Sequence, residues 1–172
     1  MPGKSTFTAA LVGRGWTALG DDKVLLRLDR QGAPEAAALL HTFNLHPGTR
    51  RWLPEVGDLE RLPVYSAWTE KRRVALTAIW PGAAARRATP ARLVALERAE
   101  DHEAVEARPM PEAGVLSTLL RQTVVPADPA EARSILAVVA GAARRLEGVH
   151  LSVGREAWAD PATVERIEQV VG

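Results

Sequence analysis

Four residues near the start of the chain, Gly3-Lys4-Ser5-Thr6, are of the types that bind nucleotide phosphates. They match the second half of a Walker A loop, G-x-x-x-x-G-K-[ST], in which backbone N–H groups surround the phosphates. The lysine of such a loop reaches the terminal phosphates, and the Ser or Thr hydroxyl holds Mg²⁺. Residues 5–14 then carry apolar side chains at helical spacing, so the phosphates would lie at a helix N-terminus, which attracts anions. The alternative is a frayed polar start, because a four-residue match often arises by chance.

Asp21 and Asp22 are the second group that could do chemistry, and they lie between two predicted strands, 16–19 and 23–28. Adjacent carboxylates repel each other and are costly to bury, so the pair suits a site that receives a cation. One aspartate could hold Mg²⁺, directly or through water, and the other could accept the proton of an attacking hydroxyl. The alternative is a hairpin turn, since aspartate is a common turn residue.

A basic run, Lys71-Arg72-Arg73, opens another predicted strand and could bind phosphate oxygens, with Arg72 as the candidate ligand. The commoner explanation of such a run is a solvated strand end. The four histidines have no spacing typical of a metal site, and the serines lack the His/Asp pattern of a hydrolase.

The composition is that of an ordinary globular domain, with 172 residues, 47% hydrophobic and 25% charged. A formal net charge of +1 does not indicate a nucleic-acid partner. The absence of cysteine excludes disulfides, thiolate metal sites and a cysteine nucleophile. The start has no apolar signal region and no apolar run reaches about 18 residues, so we expect a cytoplasmic protein with no membrane partner.

The predicted elements combine strands with helices and suffice for one domain over residues 1–172. Further strands are predicted at 35–43, 72–79, 91–96, 104–107 and 149–153. The first of these is ambiguous, because its Ala and Leu residues also favour helix. Helices are predicted at 111–122, from Asp128-Pro129 onward, where Leu136 should be buried, and from Asp160-Pro161 to the end, since Asp-Pro is typical of a helix start.

The order of these motifs resembles one family, HPr kinase/phosphorylase and its related proteins. The residues that carry the resemblance are G-K-S-T-F-T-A-A-L-V-G-R-G-W-T-A-L-G-D-D-K-V-L-L, at positions 3–26. Softer similarities follow in E-A-A-A-L-L-H-T-F-N-L-H-P-G-T-R-R-W-L-P-E-V, E-K-R-R-V-A-L, T-P-A-R-L-V-A-L-E-R and V-G-R-E-A-W-A-D-P-A-T-V. The resemblance covers nearly the whole chain, although only the first segment is chemically specific.

The resemblance implies an α/β fold, a PEP-carboxykinase-like P-loop domain with a mixed sheet, flanking helices and a helical C-terminal third. It also implies ATP and Mg²⁺: Lys4 would bind the β/γ-phosphates, Ser5 the Mg²⁺, and Thr6 would assist at the helix start. Asp21 would be the general base and Asp22 its partner near the metal.

The activity implied is phosphoryl transfer to a protein serine or another hydroxyl. HPr kinases act on a small carrier protein, and many assemble as hexamers, so a small protein substrate and a homo-oligomer are the partners to expect. The alternative is a non-catalytic nucleotide-binding or scaffold module that keeps the fold without turnover.

The family loop has its front half, and a central strand, before the position of Gly3, where this sequence has only Met1 and Pro2. A late start codon, a cut chain or a degenerate site would each explain this difference. We therefore expect weak nucleotide binding, and a neighbouring chain could supply the missing strand.

Overall fold

The computed structural model of the protein describes residues 4–100, 105–154 and 160–172. Over these residues the chain is a mixed α/β protein with three small sheets and several helices. It divides into two compact units, one of Met1–Leu25 with Ala37–Ala88 and the other of Leu26–Ala36 with Thr89–Gly172. A single domain over the whole chain stays a prediction.

The strands, in chain order, are β1 Val24–Leu28, β2 Pro34–Ala38, β3 Thr42–Leu45, β4 Val64–Ser66, β5 Thr69–Ala75, β6 Arg87–Ala88, β7 Arg92–Arg98, β8 Val105–Met110 and β9 Glu147–Val153. The α-helices are α1 Lys4–Gly13, α2 Leu76–Ile79, α3 Glu112–Gln122, α4 Pro129–Ala143 and α5 Pro161–Val171. Short 3₁₀ turns lie at Pro47–Arg51, Pro54–Val56 and Leu59–Arg61. The sheet orders are β1-β2-β6, β3-β5-β4 and β7-β9-β8.

In the first unit, α1 contacts β3, which is an edge strand of the antiparallel sheet β3-β5-β4. Phe43 of β3 is fully buried and meets Trp80 edge-on, with ring centroids 6.4 Å apart. It lies opposite Val74 of β5, which is also buried. This packing fixes β3 against α1, which begins at Lys4, and the described residues of the predicted site all belong to this unit.

In the second unit, β9 lies between β7, which runs parallel to it, and β8, which runs antiparallel. Leu151 at the centre of β9 is fully buried. Helices α3 and α4 pack together, and Met110, Val115 and Ala143 form a buried cluster. The longest described helix, α4, has 15 residues, so no helix in the described part of the chain can span a bilayer.

Several sequence predictions are confirmed. Five predicted elements are present within a few residues of their predicted bounds. They are the helices at 5–14 and 111–122 and the strands at 23–28, 91–96 and 149–153. The side chains of Asp128 and Asp160 each accept hydrogen bonds from two N–H groups in the first turns of α4 and α5, as expected of N-caps. Residue 104 lies outside the described residues, and β8 begins directly after it.

Two details of the prediction, the burial of Leu136 and the strand at 16–19, are wrong. Leu136 is 41% exposed, because the buried residues of α4, among them Val139, Ala142 and Ala143, all lie in the C-terminal half of the helix. The C-terminal third holds α3, α4 and α5 together with the predicted strand β9, so a wholly helical third is not shown. The predicted strand at 16–19 is only an isolated bridge between Ala18 and Ala84.

The predicted strands at 35–43 and 72–79 each divide in two. Residues 35–43 fall into β2 and β3, with a break at 39–41. Strand β5 ends at Ala75, and the next residues form the short helix α2. The Leu76 N–H donates to the His41 carbonyl, and the Trp80 N–H donates back to Leu76, so the chain turns where the pattern predicted that it would run straight.

Candidate functional site

The Asp21-Asp22 pair lies in a turn that a glycine brings close to the neighbouring backbone. Gly20 has φ 155°, and a Cβ atom at this residue would lie only 2.4 Å from the Leu40 carbonyl oxygen. No other residue type fits this approach without a shift of the backbone. The turn therefore holds the two carboxylates against β3, which begins two residues after Leu40.

Asp21 joins three segments that are far apart in the sequence. Its Oδ2 atom accepts a hydrogen bond from the Ser5 hydroxyl at 2.9 Å, in the first turn of α1. The same atom accepts the backbone N–H of Asn44, in β3, at 2.9 Å. The Asn44 side-chain amide also donates to Asp22 Oδ2 at 2.7 Å, so this residue binds both carboxylates.

Burial raises the pKa of the Asp21 carboxyl above its ordinary value. The hydrogen bonds from Asn44 and Ser5 lower this pKa, the charge of Asp22 raises it, and the positive charge of Lys71 lowers it. The balance is a raised pKa, because desolvation of the charged form outweighs the two donors. The site is thus one where additional positive charge would be favourable.

Two acceptor atoms in the site have no partner among the described residues: Oδ1 of Asp21 and Oδ1 of Asn44, both buried. Buried acceptors of this kind are normally satisfied, so they indicate a place for a ligand, an ion or water. Asn44 itself is only 5% exposed, which makes its unpaired oxygen more costly to leave without a donor.

The three described residues of the Gly-Lys-Ser-Thr sequence, Lys4, Ser5 and Thr6, differ in their exposure to solvent. Lys4, the first residue of α1, is exposed, whereas Ser5 and Thr6 are buried. The Thr6 hydroxyl lies 3.2 Å from that of Thr49, in a 3₁₀ turn, so it packs against the protein. Gly3 lies outside the described residues.

The structure does not bring Arg72 to the carboxylates. Arg72 lies opposite Leu45 in the register of β3 and β5, and its guanidinium donates to the Leu62 carbonyl at 3.3 Å. Its neighbour Arg73 lies opposite Asn44 instead, on the other face of the strand. Of the basic run, Arg73 and Lys71 therefore share the face of the site.

A cavity of about 200 Å³ opens beside the carboxylates. Its lining consists of Asp21, Asp22, Lys23, Leu40, Thr42, Asn44, Tyr65 and Arg73. Sequence reasoning missed Asn44, although an asparagine within an otherwise apolar strand segment, T-F-N-L, is unusual enough to have drawn attention to it.

The described residues contain no group of three or more acidic or histidine side chains that could hold a metal ion. The predicted pair for Mg²⁺ is Ser5 with Asp22, but the hydroxyl of Ser5 contacts Asp21. Asp22 is exposed and lies on the cavity wall. The arrangement offers one hydroxyl and one carboxylate at the helix start, and a second carboxylate open to solvent.

No protein-family model, curated protein or solved structure matches this chain.

Proposed function

We propose that the protein is an ATP-dependent phosphotransferase of the HPr-kinase-like P-loop type, with a PEP-carboxykinase-like domain, acting on a hydroxyl. The observation that supports this is the 2.9 Å hydrogen bond between the Ser5 hydroxyl and Asp21. In P-loop proteins the Ser or Thr of the loop and a carboxylate from a nearby segment share one Mg²⁺. The contact joins the serine of the Gly-Lys-Ser sequence to a carboxylate 16 residues away, as the phosphate-loop arrangement requires.

The residues present fit a magnesium ion that also binds phosphate. Mg²⁺ is usually held by one or two carboxylates together with substrate phosphates and water, rather than by a complete protein cage. Ser5 and Asp21 would hold it, and the unpartnered Oδ1 of Asp21 is the atom that gains most from a cation. When bound, the ion supplies charge neutralisation at the phosphates.

The chain's own side chains would bind the phosphates and supply the general base. Lys4, exposed at the start of α1, would bind the terminal phosphates together with the N–H groups of the helix start. Asp22 is the better candidate for the general base, because it is exposed on the cavity wall while Asp21 is engaged by two donors. This exchanges the roles that the family resemblance gives to the two aspartates.

In the transfer, the acceptor's hydroxyl oxygen would form a bond to the terminal phosphorus of ATP. The bond from that phosphorus to the bridging oxygen of ADP breaks, and the hydroxyl proton passes to Asp22. Asn44 would orient Asp22 through its amide, 2.7 Å from the carboxylate.

Calorimetric titration of ATP with Mg²⁺ tests the nucleotide site. We expect Lys4→Ala and Ser5→Ala to weaken binding about tenfold or more, because each removes a charged or charge-assisted contact. Arg61→Ala is the control, since Arg61 is exposed and pairs with Asp58 away from the site. Equal affinity of wild type and Lys4→Ala would contradict the proposal.

Asp22→Asn separates turnover from binding. We expect this variant to bind ATP with wild-type affinity and to lose ADP formation with an acceptor present. If wild type itself binds the nucleotide and never consumes it, the non-catalytic nucleotide-binding module is the better description.

A further inference from the structure

The lining of the cavity beside the aspartates contains both negative and positive groups. Asp21 and Asp22 lie on its wall with the buried Asn44, while Arg73 and Lys23 supply two cations. The cavity lies wholly within the first unit of the chain. A ligand that carries both a hydrogen-bond donor and a negative charge matches such a lining.

The Arg73 guanidinium is positioned by an aromatic ring at the cavity wall. Its guanidinium lies over the ring of Tyr65, 5.2 Å from the ring centroid, and both residues line the cavity. Among the ion pairs of the described residues, none involves Arg73 or Lys23. Stacking on an aromatic ring orients the planar fork and leaves its N–H groups open to bind a carboxylate or phosphate.

The buried Asn44 holds one carboxylate of the cavity in place. It is only 5% exposed, it lines the cavity, and its Oδ1 atom has no donor among the described residues. Its amide group is already bound to Asp22, so the free atom can only accept. Because this oxygen is buried, the group that a ligand hydroxyl in the cavity can reach is the exposed carboxylate of Asp22, which the Asn44 amide holds in place.

The size of the cavity limits the ligand. A volume of about 200 Å³ corresponds to roughly seven water-sized groups, and it is smaller than the usual pocket for a drug-sized ligand. A three-carbon hydroxy acid or a three-carbon polyol phosphate matches this volume.

We propose that this cavity binds a small hydroxylated anion, with its hydroxyl at Asp22 and its carboxylate or phosphate at Arg73. The proposal rests on the proposed function in one respect: the bound molecule would be the phosphoryl acceptor. Its binding can be measured without any nucleotide.

The test titrates the 172-residue chain, without nucleotide, with glycerate, glycerol 3-phosphate and neutral glycerol, and follows binding by NMR or calorimetry. The two anions distinguish a carboxylate from a phosphate ligand. We expect saturable binding of at least one anion and at least about tenfold weaker binding of glycerol, because a charged hydrogen bond is lost.

Arg73→Gln should weaken binding of that anion about tenfold or more, whereas the exposed Arg61→Gln, outside the cavity, should leave it unchanged. If neither anion binds, or if Arg73→Gln binds as tightly as wild type, the inference is overturned. Phosphorylation of a serine peptide without binding of either anion would overturn it as well, since the acceptor would then be a protein side chain. Anion binding in a protein that fails to bind ATP would support the cavity and refute phosphoryl transfer.

Discussion

Removing the Ser5 hydroxyl should destabilise the protein through one identifiable hydrogen bond. In Ser5→Ala the Asp21 carboxylate keeps the Asn44 N–H and loses the hydroxyl at 2.9 Å. Hydrogen bonds to charged groups contribute about 1.5–3 kcal/mol to stability. Alanine returns up to about 0.7 kcal/mol through its higher helix propensity. The net loss in free energy of unfolding should therefore be about 1–2 kcal/mol.

A double-mutant cycle isolates this contact. Urea unfolding at pH 7 of wild type, Ser5→Ala, Asp21→Ala and the double variant should give a coupling energy of about 1 kcal/mol or more. The control replaces Thr8, whose hydroxyl donates to the Lys4 carbonyl within the same helix at 3.0 Å. Thr8→Ala combined with Asp21→Ala should be additive within about 0.5 kcal/mol. A Ser5–Asp21 coupling below about 0.5 kcal/mol would refute the hydrogen bond as a determinant of stability and weaken the argument for the site.

Three further predictions follow from the structure. Burial raises the pKa of Asp21. The stabilisation from this carboxyl is therefore present below its unfolded pKa of about 3.9 and is lost as the pH rises through its native pKa. In urea unfolding, wild type should lose stability relative to Asp21→Asn as the pH is raised from about 4. Gly148→Ala should lower the free energy of unfolding by about 1–3 kcal/mol in thermal or urea unfolding, because the new Cβ would lie 2.7 Å from the backbone oxygen of Met110. Gly114→Ala is the comparison and should cost less, because its nearest contact is the flexible Met110 side chain. Asp128→Ala should cost about 1 kcal/mol through loss of the α4 N-cap, and a change within error would contradict the two hydrogen bonds assigned to that side chain.

Local sequence signals predicted the elements that depend on local physics. The N-caps at Asp128 and Asp160 could be recognised because an aspartate before a proline satisfies the first N–H groups of a helix without help from the rest of the fold. The helix after the Gly-Lys-Ser residues was equally visible, since its apolar spacing is local.

The errors arose where long-range contacts decide the conformation. The segment after Ala75 has a strand-like pattern, but burial of Leu76 and its backbone hydrogen bond to His41 convert it into a helical turn. The bridge at Ala18 forms only because the segment around Ala84 lies beside it.

The site shows the same limit. The types of Ser5 and Asp21 could be selected from the sequence, yet their contact depends on how α1 packs on β3. Whether Arg72 or Arg73 faces the site depends on a one-residue phase of β5, which the sequence of three consecutive cations does not define. Asn44 was missed for a related reason: its role depends on hydrogen bonds to two carboxylates that only the fold brings to it.

The backbone N–H of Asn44 has an unusual position for a strand residue. It lies on the edge strand β3, and the group that receives it is the Asp21 carboxylate rather than another strand. Its hydrogen exchange with solvent should therefore be slow only while the turn, the helix and the strand are assembled. Loss of the Asp21 contact would expose this N–H to solvent, so exchange at a single amide of β3 should report whether the turn, the helix and the strand are assembled.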